Sequence, residues 1–152
     1  MSDNISDRFY FDLRKELDSY ISKGYTSWTP AVGLFHGMNK ACDLILEVGL
    51  EAHWNRIKSL AQYFRESSLK LGFELFSDYP SDSVTALQLP GGIDSSELIR
   101  KLKNNHNLLV ANGQGDLKGK IIRVSHMGNY KLEDFSLLIN ALKIELDNML
   151  NI

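Results

Sequence analysis

Phe73-Glu74-Leu75-Phe76 and Val84-Thr85-Ala86-Leu87-Gln88-Leu89, with Ser77-Asp78-Tyr79-Pro80-Ser81-Asp82 between them, mark the place where the sequence changes period. Two short apolar runs bounded by turn residues read as a pair of strands. Upstream the period is helical. From Glu51 to Lys70 the apolar residues Trp54, Ile57, Leu60, Ala61 and Phe64 recur at the spacing of one buried helix face, and Leu71-Gly72 closes the segment. Downstream, Asp94-Ser95-Ser96-Glu97 has the acceptor-x-x-Glu form of a helix start, followed by Leu98, Ile99 and Leu102. Leu108–Ala111 and Lys120–Ser125 read as further strands, and Leu132–Met149 as an amphipathic closing helix. The order is helices first, then β-β-α-β-β-α. This is an α/β arrangement of the α+β small-domain kind, with a small, mainly antiparallel sheet and helices on one face. The last two strands are joined by a glycine-rich loop rather than a crossover helix, so direct pairing makes them antiparallel.

Ahead of this unit, residues 8–13 form an aromatic run that enters a charged, helix-like stretch to about Ser22, with Lys23-Gly24 as its stop. Thr29-Pro30 predicts an N-cap and first-turn proline for a helix that runs to about Val48, where Gly49 breaks it. The apolar residues of that helix (Val32, Leu34, Phe35, Met38, Leu44, Ile45 and Leu46 among them) occupy well over half its circumference. Such a helix wants burial on several sides. The strand-containing unit covers at most one of them, so the expectation is a further domain or a second copy of the chain against the rest.

The totals narrow the function classes. The chain has 152 residues, 43% hydrophobic and 24% charged, which is the make-up of a globular domain able to bury a core without metal or disulfides. A formal charge of −2 gives no electrostatic reason to expect nucleic acid or an anionic membrane surface. The polar start, Met1 to Asp7, lacks the features of a targeting segment, and no apolar run reaches the ~18 residues of a membrane span. The expected location is the cytoplasm. The single cysteine, Cys42, excludes an internal disulfide and is expected to be a small buried hydrophobe.

Few segments suggest chemistry. Asn112-Gly113-Gln114-Gly115-Asp116-Leu117-Lys118-Gly119-Lys120 is glycine-rich but does not fit a phosphate loop. Gly113 and Gly119 are wrongly spaced, no Ser or Thr follows Lys120, and a strand rather than a helix comes next. Lys118 stands where a dinucleotide fingerprint needs its third glycine. A tight loop between strands is the simpler reading. Arg123 lies on Ile121-Ile122-Arg123-Val124-Ser125, where alternation puts Ile122 and Val124 on one face and Ile121, Arg123 and Ser125 on the other. It is either at an edge in solvent or held against a buried anion, and the residues alone slightly favour the edge. His36, His53, His106 and His126 show no metal-ligand spacing, so no metal site is expected.

Taken in order, Phe9-Tyr10-Phe11-Asp12-Leu13, Trp28-Thr29-Pro30-Ala31-Val32, Glu47-Val48-Gly49-Leu50-Glu51 and Leu71-Gly72-Phe73-Glu74-Leu75-Phe76 resemble the C-terminal part of class V pyridoxal-phosphate-dependent aminotransferases. The serine–pyruvate and alanine–glyoxylate aminotransferases and the soluble hydrogenase subunit group are the nearest in pattern. The run from Gly113 to Gly128 is the most specific piece, resembling the family's GGxGxLKGKxxRIxHMG segment nearly residue for residue. The resemblance implies a lead-in at 1–28 on the large-domain side, an interdomain and interface helix at 29–50, and the small C-terminal domain at 51–152. It implies that Arg123 binds the substrate α-carboxylate, against the solvent-edge reading. It also implies that Thr29 reaches the cofactor phosphate of the other subunit. Many members carry a tyrosine near that threonine; here Tyr25 is one residue out of the spacing and Thr26 occupies it. No catalytic residue is assigned, since nothing ahead of the aromatic run matches the Ser-x-x-Lys setting of the Schiff-base lysine. A truncated gene, a split gene or a cloned domain is therefore expected, inactive alone. Its partners would be a second copy or a large-domain chain, with a small amino acid and a 2-oxo acid as substrates. The alternative is a non-catalytic remnant or association module.

Overall fold

The structure, a computed structural model, describes residues 10–150. The opening aromatic run thus falls partly outside the described residues, at Arg8 and Phe9. The chain divides into two compact units, with the boundary between Glu47 and Val48.

The first unit contains α1 (Leu13–Lys23) and most of α2 (Val32–Val48). Asp12 caps α1 by accepting the N–H groups of Arg14 and Lys15, and Gly24 ends it at a left-handed φ of 72°. The predicted N-cap at Thr29 is not formed, because α2 begins only at Val32. The carbonyl of Pro30 is taken by the Val32 N–H (2.8 Å) in a tight turn, and Ala31 accepts the first helical bonds from Leu34 and Phe35. Neither α1 nor α2 buries a residue. Cys42, expected inside, is exposed, because it lies on a helix with no buried face.

The second unit holds α3 (Leu50–Lys70), β1 (Glu74–Leu75), β2 (Val84–Gln88), α4 (Ser95–His106), β3 (Ala111–Asn112), β4 (Ile121–Ser125) and α5 (Leu132–Leu150). The sheet is antiparallel throughout, in the order β1-β2-β4-β3. Helices α3, α4 and α5 cover one face. Leu60, Phe64, Leu98, Leu102, Phe135, Leu138, Leu142 and Leu146 pack there against Leu87, Ile122 and Val124. The buried stripe of α3 is shorter than its apolar pattern, since Trp54 is exposed and burial begins in earnest at Leu60.

Two short strands differ from expectation for local reasons. Phe73 is drawn into the core at the exit of α3, its N–H bonded to the Ser68 carbonyl around Gly72 (φ 86°), so β1 starts one residue later. After α4, Asn107 takes a left-handed conformation and Leu108 bonds back to Leu102. Leu108–Val110 therefore approach without joining the ladder, and β3 is Ala111–Asn112 rather than Leu108–Ala111.

Candidate functional site

The sheet has a second face, away from the helices, and Arg123 stands on it. Strand β4 is interior, paired to β2 on one side and β3 on the other, so Arg123 is not at a sheet edge. Its directly opposed neighbours are Ala86 on β2 and Ala111 on β3. Directly opposed residues share a face, so the arginine lies between two methyl groups with room for a planar head. Along this face Ile121 is buried, Arg123 is half-buried and Ser125 is exposed. The Nε of Arg123 donates to the carbonyl of Asn112 at 2.9 Å. Its terminal nitrogens have no protein partner among the described residues. A guanidinium tethered at Nε presents its other edge, two parallel donors, to whatever arrives.

Arg123 also lines a groove of about 450 Å³ between the segment Leu108–Ala111 and the start of α5. The lining is mostly apolar, with Leu109, Phe135, Leu137 and Leu138 beside Tyr130 and Asp134, and Arg123 supplies the positive charge. The carboxylate of Asp134 is engaged at the helix start, accepting the Lys131 N–H at 2.8 Å.

The glycine-rich segment is a tight connection between β3 and β4. Gly113 admits no side chain, since a Cβ there would collide with the Leu117 carbonyl. The N–H groups of the segment turn inward: Gly113 donates to Ile121, and Leu117, Lys118 and Lys120 donate within the loop. Sequence reading misses Asn112, whose side chain accepts from Ser95, Gly113 and Gly119 and donates to Ser96. The available signal is an asparagine immediately ahead of a glycine-rich turn.

Just beyond the end of β4 lies a buried polar network. His126 is fully buried, packed near Phe64 and Phe135, with Nε2 2.9 Å from the Thr85 hydroxyl. Arg65 donates to Thr85 and pairs with Asp82 at 3.1 Å. Burial holds the His126 pKa down to about 4, the positive charge of Arg65 adds to that, and Asp82 opposes it. His126 is thus a neutral core residue. His106 serves structure as well, bonded with Asn105 to the buried carboxylate of Glu145. Among the described residues no group of three or more His, Cys, Asp or Glu side chains is placed to hold a metal, and no helix is long and apolar enough to cross a membrane.

Thr29 belongs to the first unit and Arg123 to the second, and each is described within its own unit. Thr29 is exposed, and its hydroxyl makes no hydrogen bond among the described residues. The segment before it is anchored on α1: the Ser27 N–H donates to Glu16 (3.1 Å), and its hydroxyl donates to the Lys15 carbonyl (2.9 Å). Trp28 packs on Tyr10 with ring centroids 5.0 Å apart, under the Lys15 ammonium. Thr26 donates its hydroxyl to the Trp28 carbonyl at 2.6 Å, and Tyr25 is exposed.

Comparison with known proteins gives the setting for this geometry. No family model matches the chain. An uncharacterized aminotransferase of Methanocaldococcus jannaschii is 40% identical over 122 residues, 79% of this chain and 32% of the relative. The L-aspartate–glyoxylate aminotransferase of Paracoccus denitrificans is 33% identical over 80% of this chain and 31% of its own length. The crystal structure of alanine–glyoxylate aminotransferase from Nostoc sp. superposes with a TM-score of 0.76 at 31% identity, covering 86% of this chain and 36% of that one. The chain therefore spans about a third of the length of the curated relatives it matches. Together, the shared sequence and the shared small-sheet fold identify the chain as a C-terminal portion of the class V, pyridoxal-phosphate-dependent aminotransferases.

Proposed function

We propose that this chain is the substrate-orienting part of an enzyme that moves an amino group between a small amino acid and a 2-oxo acid, with Arg123 receiving the α-carboxylate. One observation carries the reading. Arg123 sits on an interior strand between two alanines, tethered by Nε, with both terminal nitrogens unused by the described residues. Two parallel donors match the two oxygens of a carboxylate, and a fork fixes the substrate's orientation in a way a lysine cannot. The contribution is positioning: a substrate held at one end presents its α-carbon in one place. Pyridoxal phosphate supplies the electron sink for the transfer in the complete enzyme.

Thr29 is the residue of this chain that would hold the cofactor phosphate, across an interface to another subunit. Its hydroxyl is exposed and uncommitted among the described residues, which suits the role. In this reading residues 1–28 lead in from the large-domain side, 29–50 form the interdomain helix, and 51–152 are the small domain. The partner is a second copy or a chain that supplies the large domain, and the compartment is the cytoplasm. The isolated chain does not itself form the covalent link to the cofactor.

Two experiments test the proposal. Titration with pyridoxal phosphate, followed by absorbance and borohydride trapping, is expected to label no single lysine stoichiometrically; specific labelling of one lysine would contradict the last statement. In an enzyme reconstituted with a complementary large-domain chain, Arg123→Lys is expected to weaken substrate binding by about 1.5–3 kcal/mol, the worth of a charge-assisted hydrogen bond, and to leave cofactor affinity nearly unchanged. Unaltered kinetics with the amino donor would remove Arg123 from the site.

A further inference from the structure

We propose that Asn112 is a positioning residue for Arg123. Its carboxamide locks the glycine-rich loop to the start of α4, and its own backbone carbonyl then holds Arg123 Nε so that the two terminal nitrogens face outward. The proposal rests on the reading of Arg123 as a carboxylate anchor, and it adds how that anchor is kept in one orientation.

Both polar atoms of the Asn112 side chain are engaged. Its Oδ1 accepts from the Ser95 hydroxyl at 2.7 Å, the Gly113 N–H at 2.8 Å and the Gly119 N–H at 3.2 Å. Its Nδ2 donates to the Ser96 hydroxyl at 3.0 Å. One carboxamide thus ties both ends of the loop to each other and to the first turn of α4. A second strut runs alongside, where the Ser95 N–H donates to the Gly119 carbonyl at 2.9 Å. Ser95 and Gly113 are buried while Asn112, Ser96 and Gly119 are half-buried, so the bonds are partly shielded from water, and leaving the Ser95 or Gly113 partner unsatisfied is costly.

Register explains how this reaches the other face of the sheet. Asn112 is opposed to Ile122 and so points its side chain to the helix side, while Ala111 is opposed to Arg123 on the far side. The backbone carbonyl of Asn112 is the link between the two faces, since Arg123 passes Ala111 to reach it. With Nε spent there, the guanidinium plane has one free edge. If the loop slackens, the carbonyl moves, Nε is released and the arginine samples several rotamers. The glycine-rich segment is then not a ligand cradle but the frame of the arginine, and the inward turn of its N–H groups agrees with that.

The test uses the full chain, labelled with 15N. The Nε–H resonance of Arg123 is identified by its loss in Arg123→Lys, and its exchange with solvent is measured. In Asn112→Ala that exchange is expected to quicken about fivefold, the effect of losing a hydrogen bond of ordinary net strength, while amide protection in β2 and α5 is kept. Asn112→Asp retains the acceptor oxygen for Ser95, Gly113 and Gly119 and is expected to restore most of the protection. Unchanged Arg123 exchange in folded Asn112→Ala overturns the proposal. If that variant does not fold, Ser95→Ala with Ser96→Ala releases the carboxamide from α4 without altering β3, and the same two outcomes apply. Titration with pyruvate separates this inference from the reading beneath it. A wild-type chain whose Arg123 signal ignores pyruvate contradicts the carboxylate role and leaves the exchange comparison standing. Equal pyruvate affinity in wild type and Asn112→Ala contradicts the positioning role.

Discussion

The two units of this chain solve the problem of apolar residues differently. In the second, Phe64, Leu87, Leu98, Leu102, Ile122 and Leu142 are wholly out of water, gathered by three helices on one face of a four-stranded sheet. In the first, α2 is at least as apolar, yet Leu34 is 77% exposed, Leu46 67% and Phe35 59%, and no residue of the helix is buried. Composition alone does not separate them. The difference is partners: α3, α4 and α5 each find a sheet and a helix, whereas α2 displays side chains that would each be worth roughly 1.5–3 kcal/mol if fully buried. A region that completes its own core folds as a unit, and a region that does not leaves apolar surface to be covered by a partner.

The largest effect that tests this contrast is truncation of a phenylalanine in each unit. Phe64→Ala is expected to cost about 3–5 kcal/mol in denaturant unfolding, because the site is sealed and collapses only in part. Phe35→Ala at high dilution is expected to stay within about 0.5 kcal/mol of wild type, as exposed substitutions do. Comparable losses at the two positions would break the comparison.

Acid provides the next test, and it acts on the second unit. The pKa of His126 is lowered from 6.5 to about 4 by burial first and by Arg65 second. Between those values the unfolded chain takes up a proton that the folded imidazole refuses, so this contribution to stability is complete above pH 6.5 and is lost as the pH falls towards 4. His126→Gln is expected to flatten that part of the stability profile; an equally steep loss in the variant would assign it to other groups.

Glycine substitutions sharpen the same contrast with opposite signs. Gly113→Ala forces a methyl group against the Leu117 carbonyl and is expected to cost about 1–3 kcal/mol as an overpacked site. Gly33, inside α2, has an ordinary φ and open space where a Cβ would stand, with no atom within 4 Å. Gly33→Ala is expected to stabilise the helix by roughly 0.5–1 kcal/mol, visible as increased helicity by circular dichroism. Destabilisation at Gly33 would mean that α2 is packed closely against something in solution.

What is legible in the sequence follows from range. The change of period at Phe73, the cap at Asp94 and the closing helix from Leu132 are signalled by residues within a few positions of one another, and each element is found. Antiparallel pairing of β3 and β4 follows from the shortness of their connection. Arg123 reads two ways from its own strand, because whether β4 is an edge depends on partners distant in sequence, such as Ala86 on β2 and the Asn112 carbonyl. Long-range partners hide Asn112 and its tie to Ser95 and Ser96, and likewise the buried Glu145 with Asn105 and His106. Thr29-Pro30 carries a strong local start signal that the Pro30–Val32 turn overrides. Cys42 departs from its expected burial because apolar neighbours in sequence do not make an apolar neighbourhood in space, and on α2 they do not.

Centrally, the second unit completes its own core while α2 leaves its apolar side chains exposed, and we propose that this face of α2 is an interface, with a second copy of the chain as its simplest cover. The cost of association, about 4–15 kcal/mol, is within reach of a few such side chains even when burial is partial, and a two-fold pair uses one patch twice. Sedimentation equilibrium of the wild-type chain at micromolar concentration tests this most directly. The expected result is a self-associating species, a dimer at its simplest, that Phe35→Glu with Met38→Lys converts to monomer without loss of the second unit's fold. A single species at the 17.2 kDa chain mass would contradict it.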